Sequence, residues 1–147
     1  MLQVLLSKTS AQLLPQERNG IVIFGSSALV LQGVDLGRDI NELDLFVSEA
    51  TFERMTKRFE KRFKRGKDGE EIPYLVPVEG VAILQSFPGI HFHDALSHAC
   101  KVEAAEGFLV GSVYDIKKWK IAHGREKDLK DVEAIDSHLK GKRTSRE

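Results

Sequence analysis

Two carboxylates and a glycine-serine turn are the residues of this chain most able to do chemistry. Glu42 and Asp44 lie two positions apart in a segment with strand-like alternation, so their side chains should point to one face. Gly25, Ser26 and Ser27 follow an apolar run and precede a short apolar helix, and a turn of this kind offers free backbone N–H groups to a phosphate. Because carboxylate oxygens suit Mg²⁺, the sequence predicts a metal and triphosphate site.

The elements that must position this site follow from hydrophobic patterning. We expect a packing helix over residues 1–14, a buried strand over 21–24, a helix over 28–31 and a second strand over 42–47. The second half should contain strand hairpins over 72–87 and 101–111. These elements predict an α/β (α+β) fold with a small mixed sheet flanked by helices.

Ser48 is a suitable N-cap for a helix predicted over 49–63. Its buried stripe would be Phe52, Met55, Phe59 and Phe63, and its outer face is basic, with Lys57, Arg58, Lys61 and Arg62 continuing into Lys64, Arg65 and Lys67. Such a face could bind RNA or another polyanion. A solvated helix face is the favoured interpretation.

The last third of the chain is predicted to be helical. Ser112 and Asp115 resemble a capping box for a helix over 113–123, which Gly124 should end. A second helix over 125–139, with Leu129, Val132, Ile135 and Leu139 inward, should stop at Gly141 and leave a flexible tail over 141–147.

Composition limits the kinds of protein that can carry this site. The chain has 147 residues, of which 22 are Lys or Arg and 22 are Asp or Glu, so it predicts one neutral domain with a core over about 18–139. Global charge gives no argument for nucleic acid or membrane binding. The single cysteine, Cys100, favours a reducing compartment, and no apolar run reaches membrane-spanning length. We expect a cytoplasmic protein.

Two motifs resemble the nucleotidyltransferase superfamily. The first consists of the Gly25–Ser27 turn, Arg38, and Glu42-Leu43-Asp44-Leu45. The second, KIAHGREKDLKD from Lys120 to Asp131, is similar to a segment of minimal bacterial and phage members, including the toxins of abortive-infection toxin–antitoxin systems. Their order and separation make the resemblance fairly specific.

The resemblance implies that a nucleoside triphosphate such as ATP donates its nucleotidyl group to a hydroxyl of RNA, protein or a small molecule. It implies Mg²⁺ or Mn²⁺ as the metal, with Glu42 and Asp44 as catalytic metal ligands. The nucleotide would be bound by Gly25, Ser26, Ser27, Arg38, Lys120 and Arg125.

The chain departs from the family pattern at two positions. Glu42 stands where Asp is usual, and the third carboxylate, expected on the next central strand, corresponds to Ala82. Glu79, Asp94 or a partner protein could supply the missing ligand. The alternative function is therefore a catalytically degenerate module that binds nucleotides or proteins.

Other interpretations of these motifs remain open. Glu42 and Asp44 could form the solvent face of a half-buried strand, and Lys127 with Asp131 could form an intrahelical ion pair. A zinc site made by His91, His93, Asp94 and His98 is disfavoured, because their spacing matches no specific zinc motif.

Overall fold

The computed structural model describes residues 1–145, with side chains up to residue 142. The described helices are α1 (Leu2–Gln12), α2 (Gly25–Leu31), α3 (Glu49–Met55), α4 (Phe92–His98), α5 (Val113–His123) and α6 (Glu126–Ser145). The strands are β1 (Val22–Phe24), β2 (Leu43–Phe46), β3 (Glu60–Arg65), β4 (Glu71–Val76), β5 (Val81–Leu84), β6 (Cys100–Lys101) and β7 (Leu109–Val110). The predicted mixture of helices and a mixed sheet is confirmed.

One seven-stranded sheet, ordered β3-β4-β5-β2-β1-β7-β6, organises the chain. The β1–β2, β3–β4, β4–β5 and β6–β7 pairs are antiparallel, whereas β1–β7 and β2–β5 are parallel. Strand β2 lies between β1 and β5, with Asp44 opposite Phe24 on one side and Ala82 on the other. The predicted metal ligand therefore sits at the centre of the sheet.

An aromatic cluster forms part of the core next to this central region. The Phe87 ring lies 4.7 Å from Phe24, 4.8 Å from Phe46 and 5.2 Å from Trp119, between ring centroids. All four side chains are buried. Such offset and edge-on contacts pack densely, so β1, β2 and α5 are held together by large apolar surfaces.

The prediction of a helix over 49–63 is wrong for the second half of that segment. Helix α3 begins at the Ser48 cap, as predicted, but ends at Met55, and the chain then enters β3. Phe63, expected in the core, is 55% exposed. Helical spacing of four apolar residues is misleading here, because pairing of β3 with β4 supplies the backbone hydrogen bonds of this segment.

The predicted elements of the second half are largely confirmed. Strands β4 and β5 form the first hairpin, and β6 and β7 form the second. Helix α5 begins with the Ser112 hydroxyl accepting from the Asp115 N–H at 3.1 Å and ends at Gly124, which has left-handed backbone angles. That conformation suits glycine.

Helix α6 differs from the prediction at its end and on one face. It continues through Gly141 to Ser145, since a glycine without a left-handed turn only weakens a helix. Leu129, expected to face inward, is half exposed. The end of the predicted tail, residues 146–147, lies outside the described residues. Among residues 1–145, no helix is long and apolar enough to cross a lipid bilayer.

Candidate nucleotide and metal site

A cleft of about 420 Å³ opens over the central strands. Its walls come from the α2 turn, the loop before β2, the β3–β4 hairpin, the segment after β5, and the α5–α6 junction. Every predicted site residue except Gly25 lines it: Ser26, Ser27, Arg38, Glu42, Asp44, Lys120 and Arg125. The fold thus brings together motifs that are far apart in sequence.

Gly25 places the turn directly against Asp44. Its φ is +69°, and a β-carbon built there would lie 3.0 Å from Asp44 Oδ2. A side chain at this position would therefore meet both backbone strain and a crowded carboxylate. The sequence motif requires glycine here because the turn and Asp44 are in close contact.

The two serines of the turn have different roles. Ser27 is buried, and its hydroxyl donates to the Phe24 carbonyl at 3.1 Å. The Ser26 oxygen accepts instead from Lys120 Nζ at 3.0 Å and Arg38 Nη2 at 3.4 Å. Ser26 therefore has the side chain available to a ligand, and Ser27 can contribute only its backbone N–H.

Asp131 holds the two cations that contact Ser26. Arg38 donates to both of its oxygens, at 2.6 and 2.9 Å, and Lys120 Nζ lies 2.8 Å from Oδ2. The Lys120 and Asp131 side chains are each 1% exposed. Asp131 is thus paired across the fold rather than in the intrahelical ion pair with Lys127 that the sequence also allowed.

A second buried carboxylate, Asp128, organises the α5–α6 junction. It accepts from Arg125 Nε at 2.8 Å and pairs with His123 Nδ1 at 2.8 Å, and Lys120 Nζ lies 3.5 Å away. Its side chain is fully buried. Three side chains of the cleft wall are therefore fixed by one anion.

The carboxylates of the cleft have opposite pKa shifts. Burial raises the pKa of Asp44, and the nearby Glu42 adds to this effect while Lys64 opposes it. Burial would also raise the pKa of Asp131, but hydrogen bonds from Arg38 and Lys120 outweigh it and lower that pKa. Asp131 therefore stays ionised to a lower pH than an ordinary aspartate, whereas Asp44 lacks a full complement of cations.

The residues around Asp44 suit one Mg²⁺ whose ligands would come partly from the protein and partly from a substrate. Glu42 is exposed beside the cleft, and the raised pKa of Asp44 means that a bound cation would stabilise its ionised form. Mg²⁺ is commonly held by one or two carboxylates together with substrate phosphates. Within the described part of the chain, no group of three acidic, His or Cys side chains is arranged to hold a metal alone.

Ala82 occupies the position beside Asp44 on the next central strand, as predicted. The parallel register places the two residues on the same face of the sheet. Glu79 lines a neighbouring groove with Glu42 and Asp44, but its carboxylate pairs with Arg62 at 2.5 Å. Asp94 belongs to α4 and is absent from the residues that line either cavity.

Sequence reasoning missed a basic wall and a histidine. Lys64, Arg65 and Lys67, expected on a helix face and a turn, line the cleft from the β3–β4 hairpin. His123, expected only at a helix end, lines it too. The run of basic residues is visible in the sequence, but its place beside the cleft depends on the β3–β4 hairpin.

The histidines considered for zinc are arranged differently. His98 ends α4 and pairs with Asp115 through Nδ1 at 2.9 Å, and its side chain is 56% exposed. This single ion pair joins α4 to the first turn of α5. The arrangement gives no support to a zinc centre.

Comparison with known proteins found no matching family model, no matching curated protein and no matching solved structure. The resemblance to nucleotidyltransferases therefore rests on the two motifs.

Proposed function

We propose that this cleft binds a nucleoside triphosphate with Mg²⁺ or Mn²⁺ and transfers the nucleotidyl group to a hydroxyl. The observation that carries the proposal is the contact between Gly25 and Asp44, which joins an anion-binding turn to a metal-binding carboxylate. Lys120 reaches the same turn from the other end of the chain. A ligand that needs both phosphate donors and a metal suits this combination.

Each side chain has a role that follows from its position. Ser26 and the turn backbone would hold the terminal phosphates, and Lys120, Arg38 and Arg125 would offset their charge. Glu42 and Asp44 would hold the metal, which would act as a Lewis acid and stabilise negative charge on the donor phosphates. Because the cations are already fixed by Asp128 and Asp131, little rearrangement is needed when charge builds up on the phosphates.

The acceptor in this proposal is a hydroxyl of RNA, a protein or a small molecule. Basic side chains of the β3–β4 hairpin at the mouth of the cleft favour an anionic acceptor. The exposed free thiol of Cys100 suits a reducing cytoplasm.

A second candidate function is nucleotide binding without turnover. The observation that favours it is Ala82, which leaves Asp44 with no acidic neighbour on β5. A second metal ion, which would activate an acceptor hydroxyl, then has too few ligands from the protein.

Thermal unfolding with each of the four nucleoside triphosphates, with and without Mg²⁺ or Mn²⁺, tests both candidates. We expect one or more nucleotides to raise the melting temperature, and the metal to increase the shift. The double variant Glu42→Ala/Asp44→Ala should keep the fold and lose the metal-dependent part of the shift in melting temperature.

Formation of labelled product from an α-³²P nucleotide separates the two functions. A rise in melting temperature with nucleotide that does not depend on metal, together with the absence of labelled product, would favour the binding module. The absence of any shift would overturn both candidates.

A further inference from the structure

His123 and Trp119 form one wall of the cleft, and each has a ring nitrogen without a partner among the described residues. The rings are stacked, with centroids 5.7 Å apart and an angle of 17° between planes. Trp119 is 8% exposed, and its buried Nε1 has no hydrogen-bond partner within residues 1–145. Both residues line the cleft, and the indole ring supports one face of the His123 ring.

The His123 ring is oriented by Asp128. Its Nδ1 lies 2.8 Å from Asp128 Oδ2, and the Asp128 side chain is fully buried. A carboxylate that accepts from Nδ1–H leaves the other ring nitrogen as a proton acceptor. No hydrogen bond to Nε2 is found within the described part of the chain, and the His123 side chain is 16% exposed on the cleft side.

The charges that face His123 keep this arrangement intact. Arg125 and Lys120 also bind Asp128, and Lys67 of the β3–β4 hairpin reaches the Ala122 carbonyl at 3.4 Å. Hydrogen bonds from Arg125 and His123 outweigh burial and lower the pKa of Asp128. Asp128 therefore stays ionised and fixes the ring through its contact with Nδ1.

We infer that His123 is the general base of this cleft and takes the proton of the acceptor hydroxyl, a role that rests on the proposed nucleotidyl transfer. The hydroxyl proton passes to His123 Nε2 as the acceptor oxygen bonds to the α-phosphorus. The bond from that phosphorus to the oxygen bridging it to the β-phosphorus breaks, and pyrophosphate leaves. This route activates the acceptor without the carboxylate that Ala82 replaces.

The test uses the full chain with Mg²⁺, water or glycerol as the acceptor, and the nucleoside triphosphate that binds best. Chromatography would follow the nucleoside monophosphate or its glycerol ester from about pH 5.5 to about pH 9. For the wild type we expect an acid limb, over which the rate falls as the pH is lowered, because a general base must be unprotonated to act. His123→Gln should lower the rate by about 100-fold or more and remove that limb.

Nucleotide affinity should stay within about twofold in His123→Gln, because the ring acts on the acceptor. Fluorescence of Trp119, the only tryptophan of the chain, reports this affinity. The matched control is His98→Gln, since His98 also pairs with an aspartate but lies outside the cleft; its rate and pH profile should match the wild type. Imidazole added to His123→Ala should restore part of the rate, a result that a purely structural histidine would not give.

Three results would overturn the inference. The first is a His123→Gln protein with the wild-type rate and acid limb, and the second is an equal loss in His98→Gln. The third is a wild type that releases no product; a fluorescence change with nucleotide would then leave the binding module standing, and its absence would also remove the proposed function.

Discussion

The cleft has two halves that are built in different ways. The cationic half, made by Ser26, Arg38 and Lys120, is bound to two buried carboxylates through a continuous ion-pair network. The carboxylate half, made by Glu42 and Asp44, borders Ala82 and has no third ligand among the described residues. One half is therefore organised before any ligand binds. In the proposed function, the other half would be completed by a metal ion and by substrate phosphates that add ligands to it.

Loss of Lys120 should have the largest effect of the changes proposed here, because it removes the central cation of the cationic half. In Lys120→Met, two buried aspartates lose a common cation, so we expect the free energy of unfolding to fall by about 3–5 kcal/mol. Denaturant unfolding would measure it. Lys117→Met is the matched control, because Lys117 pairs with the half-exposed Asp136 and should cost at most about 1 kcal/mol. Equal losses would contradict the pre-organised network.

A third carboxylate, added at position 82, should raise the affinity of the carboxylate half for a metal ion. Ala82→Asp places a charge beside Asp44, which adds roughly 1–4 kcal/mol of attraction to a bound cation, about fivefold or more in metal affinity. Without metal the variant should melt below the wild type, because like charges then face each other. Calorimetric titration with Mn²⁺ would measure the affinity. Ala82→Asn, of similar size but uncharged, should bind Mn²⁺ as the wild type does.

The contact that joins the halves can be broken at Gly25. In Gly25→Ala the positive φ costs about 1–2 kcal/mol, and the new methyl group displaces the Asp44 carboxylate, so metal-dependent nucleotide binding should fall. Gly37→Ala provides the control. Gly37 has a φ of +72°, but a β-carbon added there would meet no atom within 4 Å, so this variant should show the strain and keep the binding. A similar loss of binding in both variants would contradict the proposed contact.

The halves should also respond to pH in opposite directions. The raised pKa of Asp44 means that its ionised form destabilises the fold, so Asp44→Asn should be more stable than the wild type at neutral pH, with a gain that vanishes in acid. The lowered pKa of Asp131 gives stability that is present at neutral pH and lost as pH falls. Asp131→Asn should therefore cost about 1–3 kcal/mol at neutral pH and less in acid. Melting curves recorded from acid to neutral pH would measure both effects. If the two variants changed the stability in the same direction, the assignment would be contradicted.

Local patterns in the sequence are sufficient for part of this site. The alternation around Asp44 and the Ser112 cap depend on nearby residues, and the structure has both at their predicted places. Gly25 has the predicted tight backbone, but helix α2 begins at Gly25 itself, three residues before its predicted start. The position of Ala82 is confirmed as well, because the strand that carries it is short and apolar. Each of these features depends on residues that lie only a few positions away in the sequence.

The remaining features depend on pairings between distant segments. The segment over 52–63 has the apolar spacing of a helix, and only the pairing of β3 with β4 across a turn makes its last part a strand, since strand propensity depends strongly on such context. The Arg38–Asp131 bond joins residues 93 positions apart, so a single sequence gives no measure of it. The partners of His123 are close in sequence, with Trp119 four positions before it and Asp128 five positions after it, but only the fold shows that its ring lines the same cleft as Asp44.

Strand β3 also has a consequence for how the protein behaves in solution. It forms an open edge of the sheet, and five of its six residues, EKRFKR, are exposed. An uncharged edge of this length could pair with the same edge of another copy and begin aggregation, whereas a row of lysine and arginine repels such pairing. The basic residues at the mouth of the cleft thus also protect the sheet from self-association.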